Sequence, residues 1–260
     1  WHNEFNKPRK IDKSDSMKGC YLGPSFSESE IEQDLISLGG IFSKHTKREV
    51  IKKTAQAISE DKAIGWFNGR MEFGPRALGS RSILGNAKSH KTQKNLNLKV
   101  KFRESFRPFA PSVLEEECSK WFDLNVSSPY MLLVSEINES KKILNQDNNL
   151  SGLDKLSSVR SEIPAVTHVD FSARIQTVSK ETNTDYYELI KEFFILTGCP
   201  VIVNTSFNVR GEPIVHSPKD AFKCFMGTNL DMLVLENFIL KKEDQDKKLL
   251  ASYFNKYDLD

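Results

Sequence analysis

Positive charge is concentrated between residues 70 and 107 of the chain. This stretch holds ten basic residues and two acidic ones, Glu72 and Glu104, so its net charge is ten minus two, or +8, whereas the whole chain carries +2. The ten are Arg70, Arg76, Arg81, Lys88, Lys91, Lys94, Lys99, Lys101, Arg103 and Arg107. Several stand among glycine, proline and aromatic residues, which favours a fixed pose, and a fixed guanidinium can bind phosphate or carboxylate oxygens through two N–H groups at once. The stretch therefore predicts a site for the phosphates of a nucleotide or of nucleic acid, with a solvated basic face as the alternative.

A second group of polar side chains follows a short apolar run. Residues 200–203 read Pro-Val-Ile-Val and predict a buried strand, and residues 204–208 then read Asn-Thr-Ser-Phe-Asn. In open α/β sheets, ligands bind beyond the carboxyl ends of strands. Hydroxyl and amide groups placed there can bind an anion or an adenine. The same residue types are also common in turns and caps, and the sequence leaves both interpretations open.

Two further patterns suggest chemistry that the residues themselves argue against. Residues 74–81 have the glycine spacing of a phosphate-binding P-loop, but Ser80 stands in place of its lysine and Arg81 in place of its hydroxyl residue. His168 and Asp170 could share a strand face as a base and the group that orients it, although a lone histidine is more often a structural hydrogen-bonding residue. The chain has no Gly-x-Ser-x-Gly elbow, so we expect no covalent nucleophile.

Strands and helices alternate along the part of the chain that carries these residues. Helices are predicted after the caps Ser27 and Ser217, from Thr46 onward, and over 186–196 before Gly198. Apolar strands are predicted over 63–67, 200–203 and 231–240. The starts after Ser27 and Ser217 follow from side-chain caps, and the helix end follows from glycine. The alternation predicts an α/β or α+β domain over roughly 43–240.

Composition narrows the class of protein. Of the 260 residues, 38% are apolar and 28% are charged, and the mean hydropathy is -0.45, values typical of a soluble globular protein. No run approaches the roughly 18 apolar residues of a membrane helix. The four cysteines, Cys20, Cys118, Cys199 and Cys224, lie far apart and lack zinc-ligand spacing. We therefore expect reduced thiols and a cytoplasmic location.

Four segments together carry a resemblance to a known family. They read GRMEFGPRALGSRSIL at 69–84, KFRESFRPFAP at 101–111, ARIQTV at 173–178 and NTSFNVRGEPIV at 204–215. In this order they resemble the C-terminal domain of the carbamoyltransferase family, which occurs in nodulation-protein-type and antibiotic O-carbamoyltransferases. Four long motifs in one order make the resemblance highly specific, and it covers roughly residues 43–240.

The resemblance implies a fold, a division of the chain and a reaction. It implies an α/β (α+β) domain at 43–240, with a YrdC-like twisted, mixed, open sheet flanked by helices. Residues 1–42 would be a linker from a missing N-terminal Kae1-like domain, and residues 241–260 a charged C-terminal tail. In such domains ATP and carbamoyl phosphate react to give carbamoyl adenylate and pyrophosphate. The Kae1-like domain, which would hold Fe or another metal, then transfers the carbamoyl group to a hydroxyl acceptor, so we expect a fragment of an ATP-dependent O-carbamoyltransferase.

The roles of the family's functional residues fall on basic and polar residues of the four motifs. The residues expected to act in catalysis are Arg76, Lys101, Arg107 and Arg174. Those expected to bind the nucleotide and carbamoyl phosphate are these four together with Arg103, Asn204, Ser206 and Asn208. Fixed cations suit the reaction, because adenylate formation needs negative charge neutralised on the α-phosphate and on the departing pyrophosphate. ATP is expected as a substrate with Mg²⁺, for which the sequence shows no dedicated carboxylate site.

Three alternatives give the same residues other roles: a non-catalytic nucleotide-binding module that regulates the missing domain, an RNA-binding YrdC-like module, and a synthase of threonylcarbamoyl adenylate. Against RNA, we expect the aromatic residues beside the basic ones to be buried rather than to form an exposed stacking surface. The four motifs favour carbamoyl phosphate over threonine and bicarbonate. The expected partners are ATP, carbamoyl phosphate and the Kae1-like domain of the same polypeptide, with no membrane and no nucleic acid, and a homodimer is left open.

Overall fold

Nine strands form one sheet in the computed structural model, which describes residues 2–8, 15–102, 104, 107–143 and 159–254. The strands are β1 (Ser43–Lys44), β2 (Ile64–Phe67), β3 (Arg81–Asn86), β4 (Ala110–Leu114), β5 (Leu133–Glu136), β6 (Ser172–Val178), β7 (Val201–Ser206), β8 (Met232–Leu235) and β9 (Phe238–Lys241). Their spatial order is β1-β9-β8-β2-β3-β7-β4-β6-β5. The pairs β2 with β8 and β4 with β6 are parallel, and the other neighbours are antiparallel. The predicted mixed sheet is confirmed.

Helices flank this sheet, as predicted, and three of them pack directly on its strands. The helices are α1 (His2–Phe5), α2 (Glu28–Ser37), α3 (Lys47–Ser59), α4 (His90–Lys99), α5 (Cys118–Trp121), α6 (Thr184–Thr197), α7 (Pro218–Met226) and α8 (Lys247–Phe254). Helices α3 and α6 pack against each other, α3 also on β3 and α6 on β4 and β7. Helix α7 packs on β2 and β8, with α2 and α8 against it. The largest side chains buried between these layers include Trp66, Phe67 and Phe193.

Side-chain caps explain why three helices begin where the sequence predicts. Ser27, Thr46 and Ser217 each accept a hydrogen bond from the backbone N–H three residues on, and the acidic residue at that position accepts one from the N–H of the cap. This exchange satisfies two of the N–H groups that a helix start leaves unpaired. Gly198 ends α6 with a φ of 70°, in the left-handed region that glycine enters without steric cost. These four boundaries are confirmed.

Two strand regions differ from the sequence-based expectation. The predicted strands do not include β3, which begins with the polar residues Arg81 and Ser82. Both are completely buried there, since β3 lies between β2 and β7 in the middle of the sheet. The single strand predicted over 231–240 is two strands, β8 and β9, which turn at Glu236 with a φ of 51°. The pattern of apolar and polar residues along 231–240 does not reveal that the chain turns at Glu236.

The segments on either side of residues 43–240 pack onto the domain. Tyr21 donates its hydroxyl hydrogen to the carbonyl of Leu78 at 2.8 Å, and the N–H of Gly23 donates to the carbonyl of Met71 at 2.9 Å. Three side chains of α8 pack against the core: Leu249, Leu250 and Tyr253. The described parts of the predicted linker and tail therefore add to the folded domain, while the division of the chain at 43 and 240 stays a prediction.

Candidate anion-binding site

A cavity of about 200 Å³ lies where the four motif segments meet. It is lined by residues 75–77 of the first motif, 108–110 of the second, Arg174 of the third, residues 204–206 of the fourth, and Met131. Stretches separated by up to about 130 residues along the chain are thus brought to one place. Of the site residues predicted from the sequence, four line this cavity: Arg76, Arg174, Asn204 and Ser206.

The register of the sheet explains this convergence. Strand β7 runs antiparallel to β4, so the carboxyl end of β7 lies beside the start of β4, where Asn204 pairs with Ala110. Strand β6 runs parallel to β4 on its other side, with Gln176 opposite Ser112, so Arg174 also lies near the start of β4. The polar cluster after residues 200–203 continues β7 rather than forming a turn, and it reaches the cavity at the end of that strand.

A buried carboxylate shapes the loop that carries Arg76. One oxygen of Glu72 accepts hydrogen bonds from the backbone N–H groups of Leu78 at 2.7 Å, Ser80 at 2.7 Å and Arg81 at 3.1 Å. Hydrogen bonds to a charged acceptor are stronger than neutral ones, so this carboxylate holds the loop in one shape. Sequence analysis counted Glu72 only as a charge, since its partners are backbone groups that no residue pattern reveals.

Gly79 lets the same loop lie close to α6. Its φ is 103°, and a Cβ at this position would lie 2.2 Å from a ring carbon of Tyr186. Its carbonyl accepts a hydrogen bond from the indole N–H of Trp66 at 2.9 Å. Close packing and backbone conformation therefore require glycine at this position of the motif.

Arg81 is a structural cation. Its side chain is completely buried, with the guanidinium carbon 3.4 Å from the ring centre of Phe67. The guanidinium donates to the carbonyls of Gly69 at 3.1 Å, Ser80 at 3.0 Å and Pro24 at 3.2 Å. Burial lowers the pKa of Arg81 to about 10. One of the ten cations of the basic stretch is therefore used inside the fold.

Arg76 and Arg174 differ from Arg81 in their place, because they lie at the cavity and not inside the fold. Among the described residues, neither forms a salt bridge with a carboxylate, and both line the cavity. Arg174 is half-buried, its Nη2 lies 3.8 Å from the sulfur of Met131, and its buried Nε–H has no described hydrogen-bond partner. Burial lowers the pKa of Arg174, and the positive charge of Arg76 lowers it further. Two cations that repel each other beside one cavity favour an anion between them.

Asn204 lines the same cavity and belongs to a buried polar network. Its amide donates one N–H to the carbonyl of Ala77 at 3.0 Å and the other to Oε1 of Gln176 at 2.8 Å. Its Oδ1 is buried and has no partner among the described groups. Sequence analysis missed Gln176, although alternation along ARIQTV puts it on the same face of β6 as Arg174.

Lys101 lies next to the cavity, and its ammonium group is engaged within the protein. The side chain is buried, and Nζ donates to the carbonyl of Ser206 at 2.5 Å, to the carbonyl of Asn208 at 2.9 Å and to Oδ1 of Asn208 at 2.7 Å. The hydroxyl of Ser206 donates to the same Oδ1 at 2.7 Å, and the amide of Asn208 donates to the carbonyl of Glu212 at 2.7 Å. These contacts fix the backbone that follows Asn204, and phosphate binding by Lys101 and Asn208 stays a prediction.

The remaining predicted cations lie elsewhere. Arg107 is exposed, with its Nε 3.8 Å from a carboxylate oxygen of Glu104, and it does not line the cavity, although the adjacent Pro108 does. Arg103 lies outside the described residues. The structure therefore brings Arg76 and Arg174 together and leaves Arg107 at the margin.

The predicted strand face shared by His168 and Asp170 is wrong. Both residues lie before the start of β6, in a turn where Phe171 has a φ of 63°. The Asp170 carboxylate accepts from the N–H of Ser172 at 3.0 Å and from its hydroxyl at 2.7 Å, and these bonds lower the pKa of Asp170. Burial lowers the pKa of His168. Asp170 thus stabilises a turn, and neither residue lines the cavity.

A mixed α/β sheet thus gathers two guanidinium groups, neither with a carboxylate partner among the described residues, at one small cavity. The chain belongs to the family described as the carbamoyltransferase C-terminus, whose model matches residues 55–242. The predicted resemblance is confirmed. Membership supports carbamoyl transfer as the general chemistry and a transferase as the class of enzyme.

Relatives share most of this chain. An uncharacterized protein of Synechocystis sp. is 49% identical over 252 residues, which are 95% of this chain and 41% of that protein. Nodulation protein NolNO of Sinorhizobium fredii is 42% identical over 87% of this chain and 31% of its own length. Nodulation protein NolO of Bradyrhizobium diazoefficiens is 38% identical over 98% of this chain and 44% of its own length. The chain thus spans less than half the length of these relatives.

A comparison of folds points to a further protein. The crystal structure of full-length HypF, in its phosphate- and nucleotide-bound form, is 17% identical in sequence and superposes with a TM-score of 0.44. The superposition covers 79% of this chain and 22% of that one. Among the described residues, no helix is long and apolar enough to cross a membrane.

Proposed function

We propose that this chain binds ATP and carbamoyl phosphate and forms carbamoyl adenylate with release of pyrophosphate. The observation that carries the proposal is the cavity of about 200 Å³ lined by Arg76 and Arg174, neither of which has a carboxylate partner among the described residues. Arg174 is half-buried and Arg76 is exposed at the cavity. A pair of cations without a counter-ion stabilises the charge that develops on phosphate oxygens without first having to break an ion pair.

The size of the cavity favours a small anion at its centre. Ligands of drug size fill cavities of roughly 300–1,000 Å³, and this one measures about 200 Å³. Carbamoyl phosphate and the reacting phosphate of ATP suit that volume, and the sugar and base then extend outside it. We assign the outer phosphates to Arg107, which is exposed and adjoins the cavity-lining Pro108 in sequence.

The proposed reaction has two steps whose atoms balance. Water hydrolyses carbamoyl phosphate to carbamate and inorganic phosphate. The hydrogens of the water remain with the inorganic phosphate. A carbamate oxygen then attacks the α-phosphorus of ATP, the bond from that phosphorus to the oxygen bridging to the β-phosphate breaks, and pyrophosphate leaves. Arg174 and Arg76 neutralise the charge on the phosphoryl oxygens in both steps, and a single well-placed donor of this kind accounts for about 10²–10³ in rate.

Mg²⁺ and the later transfer step are parts of the proposal that lie outside the cavity residues. Among the described residues, no cluster of three or more His, Cys, Asp or Glu side chains is placed to hold a metal ion. Mg²⁺ therefore suits this chain as an ion carried by the triphosphate and its waters, and no step is assigned to it. Transfer of the carbamoyl group to a hydroxyl acceptor belongs to an N-terminal Kae1-like domain, where a further metal such as Fe would lie.

The proposal is tested by pyrophosphate release from ATP by this chain, with and without carbamoyl phosphate. We expect release only when carbamoyl phosphate is present, and a loss of roughly 10²-fold in Arg76→Ala. Arg48→Ala, which removes an exposed arginine of α3 that does not line the cavity, is the matched control and should keep its rate. Release at the same rate without carbamoyl phosphate would contradict the proposal.

A non-catalytic nucleotide-binding module is the second outcome of this test. ATP binding that Arg76→Ala weakens, with no pyrophosphate formed under any condition, would support it. RNA binding is less favoured: Phe73 is 74% exposed, contrary to expectation, but Phe109 in the second motif is buried. One exposed ring does not make the stacking surface that single strands require.

A further inference from the structure

The orientation of the Asn204 amide is set by two groups that can only accept. One of its N–H groups meets the carbonyl of Ala77, and the other meets Oε1 of Gln176. Gln176 is itself oriented, because its Nε2 donates to the carbonyl of Leu78 at 2.8 Å. Turning the Asn204 amide over would place its oxygen against two other oxygens. Asn204 therefore keeps Oδ1 as the one atom of its amide without a described partner.

Two hydroxyl groups extend this arrangement into the core. Ser112 donates its hydroxyl hydrogen to Oε1 of Gln176 at 2.6 Å, and Tyr186 donates to the hydroxyl of Ser112 at 2.9 Å. Tyr186 is completely buried, and burial raises its pKa, so its hydroxyl remains a donor. Tyr186 thus donates to Ser112, and Ser112 donates to Oε1 of Gln176. The same Oε1 also accepts a hydrogen bond from the amide of Asn204. This series therefore stabilises one orientation of the Asn204 amide.

Two residues that line the cavity each have a buried polar atom without a partner among the described groups. These atoms are Oδ1 of Asn204, an acceptor, and the Nε–H of Arg174, a donor. Because each has no partner within the described protein, we infer that a molecule bound in the cavity supplies one. A buried polar group left unpaired is costly, and a ligand that pairs both is favoured. A carbamoyl group carries a carbonyl oxygen and an NH₂ group on one carbon, which supplies both partners.

We propose that Asn204, held by the Gln176–Ser112–Tyr186 series, accepts a hydrogen bond from the NH₂ of the carbamoyl group and so makes the site selective for carbamoyl over acyl phosphates. The inference rests on the proposed function and deepens it. Acetyl phosphate has a methyl group in place of the NH₂ and leaves Oδ1 of Asn204 unpaired. Sites built to bind a substrate N–H reject an analogue that lacks it strongly, and we expect a preference of roughly 10²-fold or more. Gln176 is a positioning residue, since it acts through Asn204.

The test measures dissociation constants of carbamoyl phosphate, acetyl phosphate and inorganic phosphate for the chain and its variants. We expect Gln176→Leu to reduce the preference for carbamoyl over acetyl phosphate at least tenfold while the affinity for inorganic phosphate stays within about twofold. Ser112→Ala, a milder change in the same series, should reduce the preference in the same direction. Thr177→Val removes a buried hydroxyl from the opposite face of β6 and should leave the preference unchanged.

The outcomes separate this inference from the proposed function. Equal affinity of the unaltered chain for carbamoyl and acetyl phosphate, together with pyrophosphate release that needs carbamoyl phosphate, would overturn the selectivity and leave the proposed function standing. A preference that Gln176→Leu and Ser112→Ala do not change would overturn the role of the supporting series. A chain that does not bind carbamoyl phosphate at all would overturn both.

Discussion

Arg174→Met is expected to lower carbamoyl-phosphate-dependent pyrophosphate release by about 10²–10³-fold without lowering the stability of the chain. The methionine keeps the apolar stem that packs near Met131 and removes the charge. The loss of rate follows because Arg174 is one of two guanidinium groups at the cavity without a described carboxylate partner. Stability should hold or rise, because burial and the charge of Arg76 both disfavour the cation in the folded chain.

The measurement pairs initial rates of pyrophosphate release with thermal unfolding of the same samples. Arg174→Lys keeps a charge but loses the planar guanidinium, and we expect it to recover only a small part of the rate. Arg48→Met, on the exposed face of α3, serves as the control for removing an arginine. A variant at position 174 that loses stability in proportion to its rate would contradict the account, because it would assign Arg174 to the core.

Lys101→Met is expected to lower both the rate and the stability. Its ammonium group donates to the carbonyls of Ser206 and Asn208 and to the Asn208 side chain. Removing it leaves those acceptors without their charged donor, at a cost of about 2–4 kcal/mol in the free energy of unfolding. The backbone after Asn204 then loses its anchor, so we also expect the rate to fall by at least roughly tenfold.

Thermal unfolding distinguishes this role from simple phosphate binding. For a domain of this size the expected loss corresponds to a Tm lower by roughly 5–10 °C. Lys94→Met, which removes an exposed lysine of α4, should leave Tm and rate unchanged. If Lys101→Met weakened ATP binding at an unchanged Tm, the ammonium group would act on the ligand and its three acceptors would be incidental.

The elements that follow from local signals were predictable. Helices α2, α3 and α7 begin at Ser27, Thr46 and Ser217 because each cap and its acidic partner lie three residues apart in the sequence. Strand β3 was not predictable in this way. It begins with Arg81, and a charged residue is expected at the protein surface. Arg81 is buried instead, stacked on Phe67, which belongs to another strand of the sheet.

The site shows the same division between local and tertiary information. The motifs identify Arg76, Arg174 and Asn204, and the fold gathers them at one cavity. What the motifs do not show is how the polar atoms pair. Glu72 binds backbone N–H groups and Gln176 binds an amide from another strand, and such partners are fixed by the sheet register rather than by spacing along the chain.

The most direct test of the central claim is the identity of the products formed from ATP. With Mg²⁺, ATP and ¹³C-labelled carbamoyl phosphate, the account predicts pyrophosphate together with AMP or an AMP adduct that carries the ¹³C label, resolved by ³¹P NMR and mass spectrometry. The same incubation with Arg174→Met should form both about 10²–10³-fold more slowly. Formation of ADP and inorganic phosphate from ATP would place the attack at the γ-phosphate and contradict the account.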